Sequence, residues 1–251
     1  PQQGKNVTVK GDLGQSAAGK TDKNGELTVP EVEQTERHGV YIVGYTDGTF
    51  GPSRSMTRSE AAAIFARLLA EKNGDTISTA ANTKFADIPA HAWYSGYVKY
   101  LANNGITYGK SKTVFAPNDA ITRAEFTTMA VRFFDVYGSG DAEIMEQFSG
   151  FHDVSSGYWA AEYIKYAALH GWINGYGDGS FHAEREINRA EVVTIVNRLL
   201  GREADEDYIA DNYRRLVTFP DVSSRHWAYY QVLEAANAHT AVLTDPETWD
   251  K

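Results

Sequence analysis

The sequence predicts a mainly α fold: three helix–turn–helix units in a pseudo-threefold arrangement, with a short β segment at the N-terminus. Three recurrences carry this reading. Met56-Thr57-Arg58-Ser59-Glu60, Ile121-Thr122-Arg123-Ala124-Glu125 and Ile187-Asn188-Arg189-Ala190-Glu191 each open an apolar stripe at helical spacing. Phe85-Ala86-Asp87, Phe151-His152-Asp153 and Phe219-Pro220-Asp221 each precede a second kind of stripe, with Trp93, Trp159 and Trp227 eight residues after the phenylalanine. Glycine-rich turns ending in an aromatic, at Phe50, Phe115 and Phe181, stand eight residues before each arginine.

In chain order, residues 1–38 differ from the rest and read as a linker or the tail of a preceding β-domain. Val7-Thr8-Val9 and Leu27-Thr28-Val29 alternate like short strands, and Asn24-Gly25 is a type I′ turn signal. Asp22, Asn24 and Gly25 echo a calcium loop, but Lys20 stands where its first acid ligand belongs, which rules that reading out. The turns Gly44-Tyr45-Thr46-Asp47-Gly48-Thr49-Phe50 and Gly175-Tyr176-Gly177-Asp178-Gly179-Ser180-Phe181 carry Asp-Gly pairs suited to tight reversals, so Asp47 and Asp178 read as turn-formers. The middle copy, Tyr108 to Phe115, is longer and lacks the aspartate. Gly105 and Gly171 read as left-handed caps that stop the preceding helices.

The units are unevenly cut. The repetitive region, 39–251, begins with the second half of a unit (39–74). Two full units follow (83–138 and 149–202), and the region ends with a first half (217–240). Two complementary halves make a third unit, so the helix of 219–238 is expected to pack beside the N-terminal half and cover Ile64 and Leu68. A repeat left half-made exposes an apolar helix face.

Composition narrows the function. A formal charge of −9 without a Lys/Arg run excludes a nucleic-acid partner held by counterion release. No apolar run approaches membrane-spanning length, so no membrane insertion is expected. Zero cysteines remove disulfides and thiolate chemistry. The seven histidines have no metal-ligand spacing, and neither a nucleophile elbow nor a phosphate-binding loop occurs. No catalytic residue, metal or cofactor is therefore expected, and matched repeats argue against one asymmetric active site.

The binding candidates lie in the repeats. Each five-residue box is a capping box: Thr57, Thr122 or Asn188 caps the helix, and Glu60, Glu125 or Glu191 reaches back to it. Arg58, Arg123 and Arg189 then occupy the first helical position, where the helix dipole disfavours a cation. Something anionic must compensate. Either a bound carboxylate or phosphate meets the guanidinium and the free N–H groups of the helix start, or the arginine pairs with a nearby acid or points to solvent. Asp87, Asp153 and Asp221 either bind sugar hydroxyls or orient the helices that follow them. Trp93, Trp159 and Trp227 either stack on sugar faces or sit in the core.

The Phe-x-Asp segment with its tryptophan, the Gly-Tyr-x-Asp-Gly-x-Phe turn and the Thr-Arg-Ala-Glu box, in this order over about 39–240, resemble the S-layer homology (SLH) module of bacterial surface proteins. The resemblance implies a three-pronged spindle around a central helical bundle, an extracellular place at the cell wall, and non-catalytic anchoring of a larger surface protein. The implied ligand is secondary cell-wall polysaccharide, its pyruvate ketal meeting Arg58, Arg123 and Arg189 in grooves between prongs. Arg123 follows the altered middle turn, so Arg58 and Arg189 rank ahead of it. A protein–protein module that self-associates into a surface lattice is the alternative, and a glycan-processing enzyme lacks its carboxylate pair.

Overall fold

The computed structural model describes residues 6–10, 16–21, 27–28, 34–138, 148–244 and 246–250. Ahead of the helical region, β1 (Asn6–Lys10), β2 (Ser16–Thr21) and β3 (Leu27–Thr28) form an antiparallel sheet in that order. The first and third strands fall where the sequence alternates; β2 does not alternate and was not foreseen. The Asn24-Gly25 turn lies outside the described residues.

Three long helices follow the three capping boxes: α1 (Arg58–Asn73), α3 (Arg123–Tyr137) and α5 (Arg189–Leu200). The Thr57 hydroxyl accepts from Glu60 N at 3.2 Å while Thr57 N donates to the Glu60 carboxylate at 2.8 Å. The same reciprocal pair forms at Thr122/Glu125 and Asn188/Glu191. Gly74, Gly138 and Gly201 end these helices in the left-handed conformation. Their inner faces meet through aromatic packing, Phe65 lying 5.4 Å from Phe126 and 4.9 Å from Phe133 between ring centres.

The residues just before the boxes close on one another in a cycle. Met56 N donates to Ile187 O, Ile187 N to Ile121 O, and Ile121 N to Met56 O, each at 2.9 or 3.0 Å. The first two N–H groups of each long helix then donate onto the neighbouring loop. Arg58 and Ser59 reach Asp119 O and Pro117 O; Arg123 and Ala124 reach Arg185 O and Ala183 O; Arg189 and Ala190 reach Arg54 O and Pro52 O. The third N–H goes to the cap side chain. These helix starts are therefore satisfied internally, and the expectation of free N–H groups waiting for an anion is corrected.

The Phe-x-Asp segments work the same way three times. Phe85, Phe151 and Phe219 lie 5.5, 5.2 and 5.3 Å from Phe115, Phe181 and Phe50. They press against Gly109, Gly175 and Gly44, where an added Cβ would fall 2.4–2.5 Å from the ring. The aspartate of each segment accepts two backbone N–H groups from the same turn. Asp87 takes Phe115 and Ala116, Asp153 takes Phe181 and His182, and Asp221 takes Phe50 and Gly51 at 2.8 and 2.7 Å. The last pair joins residues 171 and 170 positions apart in the chain. The second residue of each donor pair has positive φ: 58° at Ala116, 55° at His182 and 69° at Gly51. Asp47 and Asp178 brace their own turns as expected, accepting from Thr49 and Ser180.

Each shorter helix lies on a long one: α2 (Ser95–Asn103) on α1, α4 (Ala161–Leu169) on α3, and α7 (Tyr229–Ala236) on α5. Gly105 and Gly171 follow α2 and α4 with positive φ, as their composition predicts. The expected packing of the last helix on Ile64 and Leu68 is corrected, because its long-helix partner is α5. Buried Asn197 of α5 donates to Gln231 at 3.0 and 2.9 Å and accepts from the Tyr41 hydroxyl. The C-terminal segment reaches the N-terminal one instead through Asp221, Phe219 and a bond from Tyr41 N to Ala235 O. A second sheet completes this seam: β4 (Thr35–His38) pairs antiparallel with β5 (His239–Val242), which pairs with β6 (Thr248–Asp250). Helix α6 (Glu206–Asn212), capped by Asp205, packs Ile209 with Leu233 and Trp249 beside it. Among the described residues no helix is long and apolar enough to cross a membrane.

The positive φ of Ala116 and His182 burdens residues that carry a Cβ, at a cost of about 1 kcal/mol each. Ala116→Gly should raise unfolding stability by about that amount in urea titrations, whereas His182→Gly should gain less, because it also removes the 2.9 Å bond between the imidazole and the Ser180 hydroxyl. The aspartates add a pH dependence. Burial works to raise the Asp87 and Asp153 pKa, but the backbone N–H donors outweigh it and hold both carboxyls below the ordinary value. A depressed folded pKa means stabilisation that is complete above the unfolded value of about 3.9 and vanishes as pH falls through the folded ones. Thermal melts between about pH 5 and about pH 2 should show that loss, and Asp87→Asn/Asp153→Asn should start less stable and lose less on acidification.

Candidate functional site

The arginines at the helix starts are buried, with 4%, 5% and 4% of Arg58, Arg123 and Arg189 exposed. Each Nε donates to the carbonyl of a turn phenylalanine: Arg58 to Phe115 at 2.7 Å, Arg123 to Phe181 at 2.9 Å, and Arg189 to Phe50 at 2.8 Å. Each guanidinium also faces the glutamate of a neighbouring capping box. Arg58 meets Glu125 at 3.0 Å, Arg123 meets Glu191 at 3.4 Å, and Arg189 meets Glu60 at 4.0 Å. The anion that the sequence demanded at these positions is thus present inside the protein.

The pairing also removes the ground on which Arg123 was ranked below Arg58. The altered middle turn ends at Phe115 and touches Arg58, whereas Arg123 meets the intact turn ending at Phe181. Lys110 stands where the other two turns have Tyr45 and Tyr176, so the middle turn equals its counterparts in length and the expectation of a longer one is corrected; Lys110 pairs with Asp119 at 2.9 Å. Arg58 is therefore the arginine next to the departure.

Two clefts open where these arginines reach the surface. One, of about 220 Å3, is lined by Arg189, Tyr45, Glu60, Arg67, Trp93 and the backbone around Val43. The other, of about 210 Å3, is lined by Arg123, Tyr176, Glu191, Arg198, Trp227 and the backbone around Asn174. The two linings correspond position for position except at Met56, whose equivalent Ile187 does not line the second cleft. In each, the buried guanidinium lies against its tyrosine ring, at 4.7 Å for Arg189 over Tyr45 and 5.2 Å for Arg123 over Tyr176. Their terminal nitrogens donate to Val43 O at 2.7 Å and Asn174 O at 3.2 Å. Desolvation lowers the pKa of both Arg123 and Arg189, with the nearby tyrosines and glutamates opposing it.

The tryptophans are not core residues. Trp93, Trp159 and Trp227 are 55%, 56% and 63% exposed, so the packing alternative is overturned. Each lies just ahead of its helix, and two of them wall the clefts. Asp87, Asp153 and Asp221, in contrast, have both carboxylate oxygens engaged by backbone donors, which gives them a structural task. Sequence reasoning missed Arg67 and Arg198, the exposed cations of the two clefts. Their signal was available: Arg67, Arg132 and Arg198 each follow a box arginine by nine residues. Arg132 has its own neighbours, lying 4.7 Å over Tyr108 and donating to the Tyr163 hydroxyl at 3.1 Å.

One further group contradicts the reading of the histidines as scattered. His38, Glu234, His239 and Glu247 bring four ligand-type atoms within 4.8 Å of one another at the seam between the N- and C-terminal segments. Their sequence spacing is uninformative, because β-pairing across about 200 residues assembles them.

Comparison with known proteins agrees with the repeats. The family model of the S-layer homology domain matches residues 28–62, 84–127 and 150–193. Cell surface glycoprotein 1 of Acetivibrio thermocellus is 33% identical over 216 residues, covering 83% of this chain and 9% of the relative. The cellulosome-anchoring protein of the same organism is 30% identical over 227 residues, covering 90% of this chain and 48% of the relative. The surface-layer 125 kDa protein of Lysinibacillus sphaericus is 33% identical over 163 residues, 63% of this chain and 13% of the relative. The chain thus spans less than half the length of each of these relatives. With three family matches falling on the three box-bearing segments, the chain belongs to the S-layer homology domain family.

Proposed function

We propose that this chain is a non-catalytic module that holds a larger protein at the bacterial cell surface by binding an acidic cell-wall glycan in its clefts. The observation that carries this reading is the duplicated cleft. Two sites built from different segments each offer a buried arginine, an exposed arginine, a tyrosine and a solvent-exposed tryptophan. That set suits a sugar ring bearing a carboxylate: the indole covers an apolar sugar face and the guanidinium groups take the acid. Similarity to a cellulosome-anchoring protein and a surface-layer protein supports the anchoring role. A pyruvate ketal on the terminal sugar of a secondary cell-wall polysaccharide is the ligand of this kind that fits best, being compact and permanently charged.

Within each cleft the two arginines divide the work. Arg123 and Arg189 already satisfy turn carbonyls and a neighbouring glutamate, so they set the floor of the site and supply an uncompensated share of charge. The Arg189–Glu60 separation of 4.0 Å leaves that guanidinium the more open of the two. Arg67 and Arg198 stand exposed on the walls, and a ligand carboxylate would take Arg67 from the Tyr97 hydroxyl, to which it donates at 3.4 Å. One such contact contributes about 1.5–3 kcal/mol, so a single cleft binds weakly and two clefts on neighbouring glycan chains gain by avidity.

Arg67→Ala and Arg198→Ala should each weaken binding to purified sacculi by about 10- to 100-fold at one site while leaving the thermal melt unchanged. Trp93→Ala/Trp227→Ala should do the same. Chemical removal of ketal pyruvate from the sacculi should abolish the difference between wild type and the arginine variants. Undiminished binding to depyruvylated walls would overturn the carboxylate reading. Concentration-dependent self-association without glycan would favour a lattice module instead.

A further inference from the structure

The seam where the two ends of the helical region meet carries four buried side chains that none of the cleft chemistry uses. His38 comes from the end of β4, Glu234 from α7, His239 from the start of β5, and Glu247 from the loop before β6. His38, Glu234 and Glu247 are 2%, 0% and 7% exposed, and the His239 side chain is 5% exposed. We propose that these four residues form a closed, four-coordinate site for a divalent transition metal of the zinc class, which fastens the N-terminal strand to the C-terminal segment.

Geometry carries the argument. A tetrahedral zinc site with bonds of about 2.0–2.2 Å separates its ligand atoms by about 3.4 Å. His38 Nδ1 lies 3.1 Å from His239 Nε2, 3.2 Å from Glu234 Oε1 and 3.5 Å from Glu247 Oε1. His239 Nε2 lies 3.3 Å from Glu234 Oε2 and 3.8 Å from Glu247 Oε1. With Glu234 engaged through either of its oxygens, four of the six tetrahedral edges are near the required length, and all four ligand atoms lie within 4.8 Å of one another. Two imidazoles and two carboxylates suit zinc, which takes N and O ligands, and two carboxylate charges balance the dication.

The groups around the cluster hold its lone pairs inward. His239 Nδ1 is 3.0 Å from Asn237 O, so the ring proton sits there and Nε2 presents a lone pair. Trp249 stacks on His239 at 3.8 Å and closes one side. Glu247 Oε2 accepts from Glu203 N at 3.3 Å, which fixes that carboxylate. Its other oxygen, Oε1, and Glu234 Oε2 are buried without a hydrogen-bond partner. Without a cation, His38 Nδ1 faces three acceptors and can donate one proton among them. Arg202 is felt electrostatically at His38 and Glu234, but it donates to Gly39 O and forms no ion pair with either carboxylate among the described residues. A buried acceptor cluster with too few donors is the environment that a cation resolves.

The test uses the full chain stripped with a chelator and then supplied with Zn2+ or Co2+. The expected result is one zinc per chain, a melting temperature higher by about 5–10 °C at a hundredfold excess over Kd, and visible Co2+ absorption of tetrahedral intensity. His239→Gln and Glu247→Gln should each abolish stoichiometric uptake, while His91→Gln, at an exposed position outside the cluster, should leave it intact. The wild-type Co2+ spectrum and zinc count stand even if a variant fails to fold. Zinc uptake no higher than background, an octahedral Co2+ spectrum, or uptake indifferent to His239→Gln would overturn the site and leave a proton-bridged network in its place.

Discussion

Everything in the helical region leans on the cyclic exchange at the starts of α1, α3 and α5. Three backbone bonds link Met56, Ile121 and Ile187 head to tail, and each helix start then donates two more N–H groups to a neighbouring loop. The arginine at each first helical position belongs to the same exchange, reaching a turn carbonyl and the capping-box glutamate of another unit. Like charge at a helix N-terminus is unfavourable in isolation. Here the carboxylate that completes one cap also neutralises the cation that opens the adjacent helix. Each box is therefore intelligible only together with its neighbours.

The proposed binding rests on this structural device. A buried guanidinium needs acceptors on most of its N–H groups, and the turn carbonyls supply them. Where the glutamate stands off, as at Arg189, some positive potential remains directed at the solvent-facing cleft. The tryptophans add an apolar wall that the core does not claim. The clefts thus combine a rigid, charged floor with exposed and adaptable sides, a division that suits recognition of a small anionic sugar.

Much of this was legible from the repeats. Capping boxes located the starts of three helices to the residue because the cap, the glutamate and the apolar stripe all point to one boundary. The helix-stopping glycines were equally clear. What escaped was long-range. The task of Asp87, Asp153 and Asp221 depends on turns 28 to 171 residues away, and no local pattern distinguishes such an acceptor from a helix cap. The exposure of Trp93, Trp159 and Trp227 was hidden because fixed spacing marks a conserved geometry without saying which side it faces. Helix α6 and strands β4 to β6 are short and depend on pairing or packing with distant segments, so period alone could not find them.

The pairing of β4 with β5 has a mechanical corollary. Any tension arriving through residues upstream of Gln34 is delivered first to a four-residue strand, whose hydrogen bonds run to the opposite end of the helical region. Load entering at one terminus is shared at once with the other, and the clefts lie further along both routes. A pull on that strand bears first on its pairing with β5, and not on the hydrogen bonds from Arg123 and Arg189 that build the cleft floors.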